Sequence, residues 1–260
     1  MPLDRDSNDI AFYSRSLQRE MHYRVILPAT YMQERASHTV LYLLHGRNGD
    51  RTDWQRNTRI ADYARPMGWI VVMPDADDGY YINAAGTPED RYEDYIVKDL
   101  IVEVEQRFRA RAARESRVLA GISMGGYGAV KIGFRHPELY AAVGAFSSPM
   151  NITHRKFDFR HFRNSYFLRR IFGPDGDALR DENDPFSLAR SATPSGTHLP
   201  YFYLACGSAD PNLEVNRQFE KTLAAASINH EFHARAGGHD WNYWDSELEA
   251  MLPLLARHLQ

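Results

Sequence analysis

Short apolar runs alternate along the chain with longer segments whose apolar residues recur at helical spacing. The runs are rich in β-branched and aromatic residues, and most of them are apolar at nearly every position, which is typical of strands covered on both faces. They span residues 39–45, 69–74, 117–122, 140–147, 201–206 and 229–234. Two earlier runs, "IAFYS" and "MHYRVILP", flank "SLQRE" and predict an opening hairpin.

Helical spacing characterises four of the intervening segments. In the first, Ile96, Leu100 and Val104 fall on one face of a helix. Pro253 is expected to kink or divide the last helix, because proline cannot donate the helical hydrogen bond. The alternation of strands and helices predicts an α/β fold, with a mostly parallel central sheet and helices on both faces. The predicted helices span 94–110, 125–137, 214–227 and 241–259.

One segment interrupts this alternation. Residues 149–198 are charged and aromatic, and they separate two predicted strands. A structureless loop of this length is uncommon inside a compact domain, so we expect short helices that form a cap over the sheet edge. With 260 residues, 43% of them hydrophobic, the chain is predicted to be a single domain over 1–260 that carries this cap-like insertion.

Charge and composition narrow the range of partners. The formal net charge is −3, whereas nucleic-acid-binding domains are usually basic, so no nucleic-acid partner is expected. No apolar run is long enough to span a membrane, and the first residues lack the apolar region of a secretory signal. Cys206 is the single cysteine, which excludes an intrachain disulfide. Neither CxxC nor HExxH occurs, so no metal and no cofactor are expected.

These features favour the cytoplasm as the compartment. Secretion stays open for the case in which a signal peptide has been removed. The sequence leaves the oligomeric state open as well, with a homo-oligomer among the options.

A serine stands between glycines in the pattern Gly121-Ile122-Ser123-Met124-Gly125, between a predicted strand and a predicted helix. In this context GxSxG is typical of the nucleophile elbow of α/β-hydrolases. The chain reverses so sharply there that the flanking positions must be small. The hydroxyl then stands free at the amino end of a helix, whose dipole favours developing negative charge. A glycine-rich turn before a helix is the alternative interpretation.

A serine hydroxyl is a poor nucleophile unless a base takes its proton. His239 lies in "AGGHDWNYW", a glycine loop that joins the last predicted strand to the last helix, where an imidazole can reach the elbow. Asp210 follows the strand that ends in "YFYLAC" and is expected to orient that imidazole. Asp184, in "ENDPF", is the rival acid, but it lies in the predicted cap.

Acyl transfer also needs hydrogen-bond donors for an oxyanion. The backbone N–H of the residue after the nucleophile, Met124, is expected to supply one. The loop "HGRNG" after the first parallel strand is expected to supply the other, because Gly46 lets the backbone turn inward and the N–H of Arg47 can then point at the site. An ordinary turn at the strand exit is the alternative.

Several segments together resemble the esterase D / putative esterase family of α/β-hydrolases, and most of all its small tributyrin- and acetyl-type carboxylesterases. They are "YLLHGRNGDRTDW", "VVMPDADDGYY", "AGISMGGYGAVKIGFRHPELYAAVGAFS", "CGSAD" and "GGHDWNYW". The similarity runs from about Met21 to His258. The resemblance implies a nucleophile, an acid, a base and two oxyanion donors, namely Ser123, Asp210, His239 and the N–H groups of Arg47 and Met124.

Other members of the family act on different esters. The loop "HGRNGDR" lacks the cysteine that S-formylglutathione hydrolases tend to carry there. The polar, arginine-rich cap does not suggest the long apolar channel that the acyl chains of mycolyltransferases need. We therefore expect a serine carboxylesterase that hydrolyses small-molecule esters with short acyl chains through an acyl-enzyme.

The alternatives on the same triad are a feruloyl or acetyl-xylan-type esterase, an S-formylglutathione hydrolase and an acyltransferase. A non-catalytic binding module is the alternative from another class. Core packing competes with ligand contact as the explanation for the aromatic residues of the expected substrate pocket. The residues expected to bind substrate are His45, Asn48, Trp54, Asp75, Tyr80, Tyr81 and Trp241.

Overall fold

Eight strands form one sheet in the computed structural model, which describes residues 8–33, 35–192 and 198–259. Across the sheet their order is β1-β2-β4-β3-β5-β6-β7-β8. The strands β1 and β2 pair antiparallel, as does β2 with β4, and the remaining pairs are parallel. The strands are β1 (Asn8–Ser14), β2 (Arg19–Ile26), β3 (Val40–Leu44), β4 (Ile70–Pro74), β5 (Arg117–Ile122), β6 (Ala142–Phe146), β7 (Tyr201–Gly207) and β8 (His230–Arg235).

The predicted α/β fold with a mostly parallel sheet is confirmed. All six apolar runs form strands, and the two earlier runs form the β1–β2 hairpin. The strands from β3 to β7 are buried at every position, as expected for strands covered on both faces. The strand β8, at the edge of the sheet, is only partly buried.

Helices cover both faces of this sheet. The first predicted helix is irregular, since α3 (Tyr92–Asp94) continues through a π-helical turn, Tyr95–Leu100, into α4 (Ile101–Arg107). The last helix is continuous through Pro253, so the expected division at this proline does not occur. The helices outside the insertion are α1 (Asp53–Asn57), α2 (Ile60–Ala64), α3 (Tyr92–Asp94), α4 (Ile101–Arg107), α5 (Met124–Arg135), α9 (Leu213–Ala225) and α10 (Trp241–Ala256).

Two apolar cores lie between these helices and the sheet. One core packs α4, α5 and α9 against one face, and the other packs α1, α2 and α10 against the opposite face. Among the described residues, no helix is both long enough and apolar enough to cross a bilayer.

The insertion contains short helices, as the sequence predicts. They are α6 (Phe162–Phe172), α7 (Ala178–Glu182) and α8 (Pro185–Ser191). Two 3₁₀ turns, Ile152–His154 and Phe159–His161, precede them. Part of the predicted insertion, 193–197, lies outside the described residues.

Candidate active site

The turn between β5 and α5 holds Ser123 in a strained conformation. Its φ is 49° and its ψ is −115°, a region that residues with a side chain rarely adopt. A Cβ at Gly121 would lie 2.5 Å from the carbonyl carbon of Gly125, and a Cβ at Gly125 would lie 2.5 Å from the carbonyl oxygen of Leu44. Both positions therefore require glycine, which explains the spacing of the pattern in steric terms.

The carboxyl ends of β5, β7 and β8 bring three polar side chains together. His239 Nε2 lies 3.2 Å from Ser123 Oγ, and His239 Nδ1 lies 2.8 Å from Asp210 Oδ2. Because a carboxylate can only accept, Nδ1 carries the proton and donates to Asp210. Nε2 is then left as the acceptor that faces the serine hydroxyl.

Asp210 is buried and stays charged. Burial alone would raise its pKa, but hydrogen bonds from His239, the Ser147 hydroxyl and the backbone N–H of Asn212 hold the pKa below its usual range. The Asn212 N–H lies 2.7 Å from Asp210 Oδ1. A buried carboxylate with these donors is fixed in orientation, so it can hold the imidazole ring in one tautomer.

Ser147 and Trp244 contact Asp210 and His239 and help to hold them in place. The indole N–H of Trp244 donates to Ser147 Oγ at 3.0 Å, and the hydroxyl of Ser147 in turn donates to Asp210. The Trp244 ring meets the His239 ring edge to face, with centroids 5.0 Å apart. Sequence reasoning missed both residues; the only signal was their proximity to predicted strand and helix ends.

Asp184, the rival acid, lies elsewhere. It caps α8, where its carboxylate accepts from the Ser187 N–H at 2.8 Å and from the Thr153 hydroxyl at 3.0 Å. His154 Nε2 lies 3.2 Å from it as well. These bonds give Asp184 a structural role in the insertion.

The loop after β3 runs beside Ser123. A Cβ at Gly46 would lie 3.6 Å from the Cβ of Ser123, so Gly46 is next to the Ser123 side chain. The side chain of Arg47 turns away and donates to Asn164 Oδ1 of α6 at 2.7 Å, with its guanidinium over the ring of Phe167. The insertion is thereby attached to the loop expected to carry an oxyanion donor.

The expected substrate-pocket residues divide into two groups. His45, Trp54, Tyr80 and Tyr81 are at most 4% exposed. This burial is what core packing would give, and their contact with a substrate stays a prediction. The exposed Asn48 donates its N–H to Asp78 Oδ1 at 2.7 Å, and the half-buried Asp75 accepts from Arg51. Trp241 is half-buried and lies edge to face with Trp54 and Trp244, beside the histidine loop.

The described part of the chain holds no cluster of three or more histidine, cysteine, aspartate or glutamate residues with the geometry to hold a metal ion.

The strand order, the sharp turn at Ser123 and the loops that follow β7 and β8 define an α/β-hydrolase of the serine hydrolase class. The sequence profile of the family described as "Putative esterase" matches residues 14–255, and the chain belongs to this family. Its membership makes the protein a carboxylic ester hydrolase.

Individual relatives agree with this assignment. An acetyl esterase from Caldicellulosiruptor saccharolyticus is 27% identical over 247 residues, which cover 91% of this chain and 92% of that protein. The structure of FphF, a fluorophosphonate-binding serine hydrolase of Staphylococcus aureus, superposes with a TM-score of 0.84 at 25% identity, covering 96% of this chain and 98% of FphF. The structure of a ferulic acid esterase superposes with a TM-score of 0.82 at 26% identity, covering 99% of this chain and all of that one.

Proposed function

We propose that the protein hydrolyses short-chain acyl esters with Ser123 as nucleophile, His239 as general base and Asp210 as the acid that orients His239. The observation that carries this proposal is the continuous path from Asp210 through the imidazole to Ser123 Oγ, with separations of 2.8 and 3.2 Å. The second separation is at the long end of a hydrogen bond, which is usual before substrate binds.

In the first half of the reaction, Ser123 Oγ bonds to the ester carbonyl carbon while its proton passes to His239 Nε2. The bond to the leaving alcohol then breaks, and the alcohol oxygen takes that proton from the imidazolium. In the second half, water repeats these steps on the acyl-enzyme and releases the carboxylic acid. The charge of Asp210 stabilises the imidazolium in both halves.

The backbone N–H groups of Met124 and Arg47 are proposed to hold the tetrahedral oxyanion. The first opens α5 directly after the nucleophile, and the second follows Gly46, whose Cα is beside Ser123. Donors fixed by the fold need no reorganisation when charge develops on the substrate oxygen.

Arg47→Pro removes the proposed N–H donor, whereas Arg47→Ala keeps it and removes only the side chain. We expect Arg47→Pro to lower kcat by a factor of about 10²–10³, the usual cost of one oxyanion donor. Arg47→Ala should lose much less, and Asn164→Ala reports separately on the bond between Arg47 and α6. Steady-state kinetics on one soluble ester measure all three. Equal losses in Arg47→Pro and Arg47→Ala would contradict the role of this N–H.

Short acyl groups are proposed because α6 lies close over the loop after β3, through the contacts of Arg47 with Asn164 and Phe167. The relative named an acetyl esterase supports the same substrate class. Hydrolysis of p-nitrophenyl esters from acetate to octanoate tests this proposal. We expect activity to fall as the acyl chain lengthens, and a maximum at octanoate would contradict a confined acyl site.

Cys206 provides a second check on the nucleophile. Burial raises its pKa to about 12, so the thiol stays protonated and unreactive at neutral pH. We expect iodoacetamide to leave both the activity and the mass of the folded protein unchanged, and to alkylate this residue only after denaturation. Inactivation that keeps pace with alkylation of the folded protein would point to a thiol nucleophile instead.

The same cysteine bears on the cellular compartment. Because it is free and buried, it supports the proposal of a reducing compartment such as the cytoplasm.

A further inference from the structure

A fully buried lysine lies on the helix that begins at the nucleophile. Lys131 of α5 is 0% exposed, and lysine is almost never fully buried unless its charge is paired. Its Nζ lies 2.7 Å from Glu93 Oε2 and also donates to the backbone carbonyl of Tyr81. The mechanism above gives this lysine no step.

Glu93 is the centre of the ion network around Lys131. Its second oxygen accepts from Arg135 Nε at 2.8 Å and lies 2.8 Å from His136 Nε2. Burial would raise the pKa of Glu93, but Lys131, His136 and Arg135 together hold it well below its usual range. Lys131 therefore bonds to a carboxylate that stays negatively charged. This bond holds its amine where it donates to the Tyr81 carbonyl.

The backbone that Lys131 holds is strained. Tyr80 and Tyr81 have φ values of 50° and 55°, a conformation that bulky residues rarely adopt. Such strain persists only where neighbouring contacts impose it. The bond from Lys131 to the Tyr81 carbonyl is a contact of this kind.

Tyr81 connects the strained turn to the loop after β3. Its hydroxyl donates to the carbonyl oxygen of His45 at 3.1 Å. His45 Nε2 accepts from the Ala76 N–H at 3.0 Å, so Nδ1 carries the proton and donates to the Gly46 carbonyl at 2.7 Å. The carbonyl of Gly46 belongs to the same peptide as the N–H of Arg47. The Gly46 carbonyl also accepts from the Gly49 N–H at 3.2 Å, so the bonds that lead back to Lys131 are one of two constraints on the direction of the Arg47 N–H.

We propose that Lys131 is a positioning residue for the oxyanion hole. It fixes Tyr81, whose hydroxyl fixes His45, and His45 holds the peptide that presents the Arg47 N–H. Lys131 itself touches neither substrate nor the reacting atoms. The proposal rests on the function proposed above, since it assigns no role to Lys131 apart from that N–H.

The test compares Lys131→Met, which keeps the length of the side chain and removes the charge, with Tyr81→Phe, which removes only the hydroxyl. For each variant we would measure kcat and KM on p-nitrophenyl acetate. We would also measure the inhibition constant of a trifluoromethyl ketone, which forms a tetrahedral oxyanion adduct with the serine. Misplacement of the N–H by about 1 Å costs about a hundred-fold in rate, so we expect kcat to fall about ten- to a hundred-fold with KM nearly unchanged.

The inhibition constant separates positioning from stability. The inhibition constant should rise by the same factor as kcat falls, and the double variant should lose no more activity than the more strongly impaired single variant. Arg117→Met is the matched control, because Arg117 is a buried cation that bonds to Glu105 and to the Leu139 carbonyl at the opposite end of β5. The control should lose stability in thermal unfolding and keep the inhibition constant.

Two different failures can be told apart. If wild type hydrolyses the ester but Lys131→Met and Tyr81→Phe keep the wild-type inhibition constant, Lys131 is only structural and the positioning role is overturned. If Lys131→Met does not fold, Tyr81→Phe alone decides in the same way. If wild type itself neither hydrolyses the ester nor binds the ketone, the proposed function has failed, and the positioning role fails with it.

Discussion

Replacement of Ser123 by alanine is expected to lower kcat for ester hydrolysis by about a million-fold, leaving only the residual catalysis that substrate binding and the oxyanion donors provide. The expectation follows from the position of Ser123 Oγ, 3.2 Å from His239 Nε2 at the strained turn before α5. Alanine removes the attacking atom and leaves the turn and the helix intact. Initial rates with p-nitrophenyl acetate measure the effect.

Ser148 is the matched control for Ser123. It is a buried serine two residues beyond β6, and its hydroxyl lies near the carbonyl of Phe146. Ser148→Ala should keep most of the activity. Hydrolysis by Ser123→Ala at a rate near that of wild type would mean that the nucleophile has been wrongly assigned.

Replacement of Asp210 by asparagine is expected to lower kcat by about 10⁴-fold. The amide has nearly the same shape as the carboxylate, but it can donate to His239 Nδ1 and so favours the wrong imidazole tautomer. It also removes the negative charge that stabilises the imidazolium. The fold should be kept, because the buried position still holds a polar group with the same donors around it.

Asp184→Asn is the comparison for Asp210→Asn, because Asp184 is fully buried and was the rival acid. Its partners, Ser187, Thr153 and His154, all lie in the insertion, so we expect a loss of stability with little loss of kcat. The two variants are compared by kinetics on one ester and by thermal unfolding. The opposite order of the two kcat values would transfer the acid role to Asp184.

The sheet could be predicted from the sequence because its central strands are apolar at nearly every position. The short length of these runs and their content of β-branched and aromatic residues favour strands over buried helices, and the predicted strand ends fall close to the observed ones. The meeting of Ser123, Asp210 and His239 could also be anticipated. Each follows the carboxyl end of a parallel strand, and such ends share one edge of the sheet.

The surroundings of the site could not be predicted in this way. The sequence favoured His45, Trp54, Tyr80 and Tyr81 as pocket walls because aromatic residues near a site suit ligand contact as well as core packing. Which of the two applies depends on contacts between distant segments, and the structure buries these four residues. The cap was expected as short helices, but nothing local indicated that Arg47 would bond to α6.

Buried polar contacts were the least accessible to sequence reasoning. Lys131 and Glu93 are 38 positions apart and carry no motif, and each alone reads as a surface residue of a helix. Ser147 and Trp244 are 97 positions apart and meet only because β6 and α10 pack together. Long-range pairing of this kind is set by the fold and leaves no periodic signal along the chain.

The most direct test of the central claim is to react the protein with a fluorophosphonate and locate the adduct by peptide mass spectrometry. A nucleophilic serine displaces fluoride and forms a stable phosphonate ester, so the account predicts a single adduct on Ser123. It also predicts complete loss of ester hydrolysis in proportion to labelling, and no adduct in Ser123→Ala. An adduct on a different residue, or full activity after Ser123 is labelled, would contradict the account.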